Sequence, residues 1–180
     1  MLILPTERLV LRPWRMQDAA ELFRYAQDPQ IGPRVGWKPH ESIRESQQIL
    51  KTVLMVPEVW ALELRETGRP IGSIGLHRDR KRNLPASVVR EIGYWLGRPY
   101  WGRGFMPEAV RAVLDYAFAK LQLELVSCSH FPDNDASRRV IEKLGFRYEG
   151  LLRHGFRIYD GSVLDMMVYS MTRQEYSLLL

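Results

Sequence analysis

The chain has 180 residues, of which 46% are hydrophobic and 26% are charged, and its formal net charge is +5. These proportions are typical of a globular domain and exclude a disordered or collagen-like chain. The single cysteine, Cys128, excludes an internal disulfide and fits a reducing compartment. No apolar run reaches the ~18 residues of a membrane span, and the apolar start at Met1 to Pro5 is too short for a secretory signal. We therefore expect one domain, residues 1–180, in the cytoplasm.

Alternation of polar and apolar side chains is the main signal in the first half of the chain. It predicts strands over 7–14, 58–65, 70–77 and 88–96. Residues 66–69 form a turn that makes the second and third strands a hairpin. One helix is expected from Asp18 to Gln27, and Ser42 with Glu45 resembles the capping box of another. The second helix carries Ile43, Ile49, Leu50 and Val53.

Helices and strands alternate in the second half. Pro107 and Glu108 suit the first turn of a helix. Its apolar stripe at helical spacing consists of Val110, Val113, Leu114, Ala117, Phe118 and Leu121. A short helix is expected from Asn134 to Gly145, and the remaining strands are predicted over 123–131, 146–158 and 162–171. This order predicts a mixed α/β (α+β) fold with helices on a mostly antiparallel sheet, in which two strand–helix–strand stretches can supply parallel neighbours.

A glycine-containing segment, Trp101 to Ala109, lies between a predicted strand and the start of a predicted helix. Gly102 and Gly104 let the backbone bend and approach a ligand closely, and the first amides of the helix favour an anion there. The segment is not a P-loop, because no Gly-Lys-Ser/Thr follows, and it is not the dinucleotide fingerprint, because Pro107 replaces the third glycine. It is therefore either a phosphate-binding turn or a plain tight turn.

Several motifs in order resemble the GNAT superfamily of acyl-CoA-dependent N-acyltransferases. They are EIGYWLGRPYWGRGFMPEA at 91–109, NDAS at 134–137 and EKLGF at 142–146. TERLVLRPW at 6–14 and Asp160-Gly161 with Asp165 resemble its Rim-type branch, which acetylates ribosomal-protein N-termini. The resemblance covers nearly the whole chain. It implies a sheet splayed at the coenzyme-binding strand and acetyl-CoA (coenzyme A) as co-substrate.

The resemblance also implies which residues bind the coenzyme. The loop that holds its diphosphate corresponds to Gly102, Arg103, Gly104, Phe105 and Met106. The strand that holds the pantetheine arm corresponds to Tyr94, Trp95 and Leu96, and Asn134 would bind the pantetheine or sulfur end. Trp101 and Met106 depart from the usual residues at the two ends of the loop, and Pro107 has no amide to offer. Core packing is the alternative for the strand residues, and helix capping is the alternative for Asn134.

Acetyl transfer to an amine needs a base for the amine and a hydrogen-bond donor for the leaving thiolate. Glu91 is the predicted base, because related enzymes often place a glutamate there, and its side chain should lie on the opposite face from Ile92 and Tyr94. Ile141 stands where many superfamily members carry a tyrosine, so Ser137, one turn after Asn134, is the predicted donor. A solvated glutamate and an exposed first-turn serine are the alternatives.

Three functions remain open at this point. The first is acetylation of a protein N-terminal amine, with an acceptor site lined by the first two helices, the loop around Trp37 and the hairpin near Tyr159. The second is acetylation of a small amine such as a polyamine, an amino acid or an antibiotic. The third is a non-catalytic module that binds coenzyme or RNA.

Other polar residues give weaker signals. His40, His77, His130 and His154 show no metal-ligand spacing, so we expect no metal. Cys128 is expected to be a buried core residue, and Arg138 and Arg139 could reach the coenzyme phosphates. The basic stretch 78–82 is expected to be a solvated loop, with RNA or ribosome contact as the minority alternative. We expect no nucleic-acid or membrane partner, and a homodimer through the last strands is left open.

Overall fold

A computed structural model describes residues 2–179. Within them, eight strands form one sheet: β1 Leu4–Pro5, β2 Leu9–Pro13, β3 Val59–Leu64, β4 Arg69–Arg78, β5 Val89–Leu96, β6 Leu125–His130, β7 Arg147–Arg157 and β8 Val163–Thr172. The α-helices are α1 Ala19–Ala26, α2 Ile43–Ile49, α3 Phe105–Asp115, α4 Asp135–Lys143 and α5 Arg173–Ser177. Both α2 and α3 continue as wider π-type turns, over Leu50–Leu54 and Tyr116–Lys120.

The strand order is β1-β2-β3-β4-β5-β6-β8-β7. Neighbouring strands are antiparallel except β5 and β6, which are parallel and joined through α3. The predicted mixed fold on a mostly antiparallel sheet is therefore confirmed. The second predicted parallel pairing does not form, because β8 lies between β6 and β7 and pairs antiparallel with both.

The parallel pair β5 and β6 separates soon after it begins. Its register runs only from Val89–Leu125 to Glu91–Ser127. Beyond Glu91, β5 stays paired with β4 as far as Leu96, whereas β6 stays paired with β8 as far as His130. The two strands therefore diverge and open a gap in the sheet, which is the splay that the resemblance implies. Backbone amides and carbonyls along the gap are left without a strand partner and can bind a ligand.

Helices cover both faces of the sheet, and each face has its own core. On what we call the α3 face, Ile92 and Leu96 of β5 pack with the apolar stripe of α3. On the opposite face, which we call the α1 face, a smaller cluster contains Trp14, Leu22 and Leu50. Each such buried side chain stabilises the fold by about 1.5–3 kcal/mol relative to exposure. The two cores hold the diverging strands in place from both sides.

The apolar side chains of α2 and of the turn after it are not all buried. Leu50 is fully buried, but Ile43 and Val53 are 45% and 51% exposed. The regular helix ends at Ile49 and is followed by a wider turn, which rotates later side chains away from the 3.6-residue pattern.

Helix α5 was not predicted from the sequence, although Thr172 and Glu175 form a capping box at its start. Among residues 2–179, no helix combines the length and apolar character needed to cross a bilayer.

Candidate active site

A cleft of about 450 Å³ opens where β5 ends and α3 begins. Its walls come from β5, the glycine loop, the first turn of α3, α4 and the segment that follows α1. It brings together predicted site residues from three parts of the sequence: Tyr94, Trp95, Leu96, Gly102, Gly104, Phe105, Met106, Asn134 and Ser137. Two other predicted site residues, Arg103 and Glu91, lie outside its walls.

The glycine loop presents backbone amides to this cleft. Gly102 and Gly104 have φ values of +72° and +79°, which favour glycine over other residues. Phe105 and Met106 are the first two residues of α3, so their amides have no acceptor within the helix and lie at its positive end. Pro107 contributes no amide, as the sequence indicated. The arrangement fits a diphosphate, because that anion needs several converging N–H donors.

Arg103 lies at the rim of the loop. Its guanidinium carbon lies 5.1 Å from the ring centroid of Phe105 and 5.8 Å from that of Tyr100. The arginine therefore supplies a positive charge near the cleft but does not line it.

Three cations line the cleft. Arg34 lies in the short 3-10 helix Gly32–Val35, and Arg139 and Lys143 lie on α4. Within residues 2–179, none of the three has a carboxylate oxygen within 4.0 Å, so their charges are not neutralised by ion pairs there. Arg138, the other arginine considered above, pairs with Asp135 instead. Lys143 was not predicted from the sequence. Its position four residues after Arg139, on the same helical face, is the pattern that could have indicated that it lines the cleft.

Asn134 caps α4 and also lines the cleft. Its Oδ1 accepts a hydrogen bond from the Ser137 amide at 3.2 Å, and its Nδ2 donates to the Arg34 carbonyl at 3.2 Å. The capping interpretation is thus correct, and the same side chain fastens the Gly32–Val35 segment beside the cleft. The amide group carries a second N–H that can serve a ligand.

Ser137 meets a tyrosine that comes from the sheet. Its Oγ lies 2.9 Å from the hydroxyl of Tyr94. Burial raises the pKa of Tyr94 well above its ordinary value, so the phenol keeps its proton and can donate a hydrogen bond. Ile141, at the place of the usual family tyrosine, is buried in the core. From the sequence, Tyr94 is predicted only as part of the strand that holds the pantetheine arm, and nothing there indicates the contact of its hydroxyl with Ser137.

Glu91 lies at the start of the β5–β6 gap, on the α1 face. Its side chain is 23% exposed, its Oε2 is 2.6 Å from Lys81 Nζ, and its Oε1 accepts a hydrogen bond from Ser129. The side chain therefore points away from the face of Ile92 and Tyr94, as expected from strand alternation. Because Ser129 belongs to β6, this hydrogen bond joins the two diverging strands.

The basic stretch 78–82 is not simply a solvated loop. The side chains of Lys81 and Arg82 are only 14% and 19% exposed. Arg82 pairs with Asp79 and Glu149, and Lys81 lies between Asp79 and Glu91. These two cations are committed to carboxylates of the same chain, which reduces the charge that the stretch offers to an RNA.

His77 is a second polar group on the α1 face that the sequence analysis missed. It is opposite Glu91 in the β4–β5 register, and its ring lies along Gly75 and Gly93, where no side chain occupies the space. A Cβ at Gly75 would lie 2.8 Å from its Nε2. His77 is exposed as a whole residue, but the atoms packed around its ring lower its pKa, and the charge of Glu91 opposes that shift. The neutral imidazole is therefore favoured near the gap.

Aromatic side chains enclose the α1 face beyond the end of β5. Trp95 stacks with Trp14 at 6.3 Å and meets the edge of Trp37 at 6.1 Å. The ring centroids of Phe156, on β7, and Phe131 are 5.7 Å apart. Phe156 also packs against Gly36, where an added Cβ would lie 2.5 Å from the Phe156 ring. The segment between α1 and α2 therefore touches the last hairpin, and together they frame the region around the gap.

Cys128 is buried as expected, and burial raises the pKa of its thiol. In the part of the chain that the structure describes, no group of three or more His, Cys, Asp and Glu residues could hold a metal ion.

Comparisons with known proteins agree with this geometry. Residues 8–147 match the family model described as Acetyltransferase (GNAT) domain. The chain is 31% identical over 177 residues to p20 of Bacillus licheniformis, an uncharacterised N-acetyltransferase, with 96% of this chain and 97% of that protein covered. It is 26% identical over 184 residues to the ribosomal protein uS5-alanine N-acetyltransferase of Escherichia coli, with 97% and 92% covered. The structure of Mycobacterium smegmatis RimJ in complex with CoA-disulfide has a TM-score of 0.80 at 25% identity, with 96% and 88% covered.

Proposed function

Because the chain belongs to the GNAT family of acetyltransferases, we propose that it acts within the Rim-type branch and acetylates the α-amine of a protein N-terminus. Family membership makes it an acetyl-CoA-dependent N-acetyltransferase, so a non-catalytic binding module is no longer an alternative. The proposal concerns the acceptor and the residues that serve each substrate.

The observation that carries the proposal is the character of the surface around the gap on the α1 face. The last hairpin exposes Leu152, Phe156 and Tyr159, each at least 40% exposed, and Phe156 reaches toward the gap by its contact with Phe131, the residue after β6. An exposed apolar surface suits a polypeptide chain, whereas a polyamine needs several carboxylates with unneutralised charge. Glu91 and Asp79, the acidic groups near the gap, are instead paired with Lys81 and Arg82.

Two relatives support the same acceptor. The Escherichia coli enzyme is named for the alanine of ribosomal protein uS5, and the structurally similar mycobacterial protein is a RimJ. The opening TERLVLRPW motif points to the same branch. An α-amine is also the easier nucleophile, because its pKa of ~8 leaves more of it neutral at pH 7 than a lysine at ~10.4.

Acetyl-CoA supplies a thioester whose acetyl group passes to the amine. We assign the diphosphate to the backbone of Gly102 to Met106, with Arg103 at the rim and Arg139 and Lys143 attracting the phosphates. The backbone of Tyr94, Trp95 and Leu96 holds the pantetheine arm along the gap, and Asn134 binds its sulfur end. With the donor held on the α3 face, the amine approaches from the α1 face.

Three side chains handle protons in this proposal. Glu91 takes the proton from the attacking amine, directly or through a water molecule, because it lies at the start of the gap on the acceptor side. Ser137 and Tyr94 donate hydrogen bonds to the departing sulfur from the α3 face. Positioning of amine and thioester in line supplies much of the remaining acceleration.

A thiol-release assay with matched acceptors tests the proposal. We expect acetylation of short peptides with a free α-amine and a kcat/KM at least about tenfold lower for the same peptides when the α-amine is blocked and an internal lysine is free. Polyamines, aminoglycosides and free amino acids form the comparison panel. A preference for any of these over every peptide would contradict the N-terminal acceptor and favour a small-amine enzyme.

The remaining assignments are predictions. We propose that residues 1–180 form one domain that works in the cytoplasm, where the buried free thiol of Cys128 is compatible with reducing conditions. A homodimer through the exposed residues of the last hairpin also remains a prediction.

A further inference from the structure

One end of the TERLVLRPW motif lies against the glycine loop, although it is about 100 residues away in sequence. Arg8 Nε donates to Glu108 Oε2 at 2.7 Å, the Arg8 amide donates to Glu108 Oε1 at 2.8 Å, and the hydroxyl of Thr6 donates to the same Oε1 at 2.5 Å. Glu108 belongs to the first turn of α3. The segment before β2 is therefore bound to the helix whose N-terminus faces the cleft.

The guanidinium of Arg8 also contacts the loop itself. Arg8 Nη1 donates to the carbonyl of Arg103 at 2.9 Å, and its guanidinium carbon lies 4.5 Å from the ring centroid of Phe105. In a trans peptide the C=O and the following N–H point in opposite directions. Because Arg8 holds the Arg103 carbonyl, the amide of Gly104 points away from Arg8, and Gly104 lines the cleft. The contact thus fixes the direction of an amide that faces the ligand.

Arg8 also balances the negative charge of Glu108. A carboxylate in the first turn stabilises the helix dipole, but it repels a diphosphate bound at the same end. Burial raises the pKa of Glu108, and hydrogen bonds from Thr6 and Arg8 lower it by more, so the group is ionised. The side chains of Arg8 and Glu108 are 41% and 16% exposed, which leaves the carboxylate largely covered and its charge balanced by Arg8.

We propose that Arg8 is a positioning residue for donor binding, which orients the loop amides toward the coenzyme diphosphate and neutralises Glu108 beside it. This inference rests on the use of acetyl-CoA but not on the identity of the acceptor. It gives a physical function to the opening motif, which the proposed function uses only as a sign of the branch.

The test compares a donor that has the diphosphate with one that lacks it. Variants R8M and R8K are assayed with acetyl-CoA and with S-acetylpantetheine, and CoA binding is measured by calorimetry. R65M is the matched control, because Arg65 donates to the Thr6 carbonyl on the same segment and is exposed. We expect R8M to weaken CoA binding and lower kcat/KM for acetyl-CoA by about tenfold or more, since hydrogen bonds from charged groups are lost. The value for S-acetylpantetheine should change less than about twofold.

R8K should show a smaller loss that is still selective for acetyl-CoA, because lysine keeps the charge but cannot form the planar fork. If R8M does not fold, the R8K variant tests the inference in its place. Unchanged CoA binding in the Arg8 variants, an equal loss with both donors, or an equal loss in R65M would overturn the inference. Failure of the unaltered protein to bind CoA would instead contradict the acetyl-CoA function itself.

Discussion

The two faces of the sheet at the β5–β6 gap are built in different ways. On the α3 face, the part of the cleft proposed to bind the coenzyme diphosphate consists of backbone groups: two glycines with positive φ and the first amides of α3, next to the unpaired edge of β5. On the α1 face the groups near the gap are side chains held by other side chains, such as Glu91 bound to Lys81 and Ser129. A site made of backbone groups suits a coenzyme that all members of a family use. A surface made of side chains can change from one member to the next without changing the fold. This difference predicts that donor binding and acceptor chemistry can be impaired separately.

The largest effect is expected from Gly104→Ala. A Cβ at Gly104 would lie 3.4 Å from Arg8 Nη2, and the left-handed conformation costs alanine about 1–2 kcal/mol. Relaxing this strain moves the loop amides out of place, and the disturbed contacts, worth about 1.5–3 kcal/mol, should weaken CoA binding by up to about 100-fold in a calorimetric titration. Gly68→Ala is the control, because Gly68 also has a positive φ but has no atom within 4 Å of the added Cβ. Equal CoA affinity in the two variants would mean that the loop does not bind the coenzyme.

Glu91→Gln should have the next largest effect, and on turnover only. Removing the carboxylate removes the proposed base while keeping the side-chain shape, so kcat should fall tenfold or more, as general bases contribute about 10²–10⁴-fold. CoA affinity should stay within about twofold, because Glu91 does not line the cleft. Glu149→Gln serves as control, since Glu149 belongs to the same ion-pair network through Arg82. Unchanged turnover at neutral pH would remove Glu91 from the mechanism and direct attention to His77.

Ser137→Ala and Tyr94→Phe test the donors on the α3 face. Each variant loses one hydroxyl of a pair, and the other hydroxyl can still reach the sulfur, so we expect kcat to fall about three- to tenfold. The double variant should lose more than either single one. Ser177→Ala, an exposed serine on α5, should behave as the unaltered enzyme. Normal kcat in the double variant would exclude both hydroxyls.

The smallest expected effect concerns pH and is confined to the α1 face. Burial lowers the pKa of His40 from its usual 6.5, and its Nδ1 lies 2.8 Å from Ser46 Oγ; Trp37 and Glu45 are its other polar or aromatic neighbours. The folded state therefore binds fewer protons than the unfolded state, so stability is lost as pH falls below 6.5. Hydrogen exchange over 37–50, corrected for intrinsic rates, should accelerate between pH 7 and pH 5.

His40→Asn should abolish that acceleration, whereas His154→Asn should preserve it. His154 is an exposed histidine with a φ of +53°, which asparagine tolerates. An acceleration that survives in His40→Asn would assign the titration to another group.

The sequence predicted what depends on local signals and missed what depends on distant contacts. The strands, α3 and the loop of Gly102 and Gly104 follow from alternation, helical spacing and glycine placement, which act within a few residues. The contact of Arg8 with Arg103, or of Tyr94 with Ser137, joins segments 95 and 43 residues apart, and no local pattern encodes it. Lys81 looked like part of a solvated basic loop because its partner Glu91 becomes its neighbour only after β4 and β5 pair.

The central claim is that donor and acceptor reach the gap from opposite faces, and hydrogen exchange with a bisubstrate compound tests it most directly. The probe is CoA whose sulfur is joined through an acetyl bridge to the α-amine of a short peptide. CoA alone should protect the amides of 102–106 and 134–143. The bisubstrate should add protection at 37–42 and 152–159 and bind more tightly than CoA. If the bisubstrate adds no protection on the α1 face, or protects only the residues that CoA protects, the two-face account is contradicted.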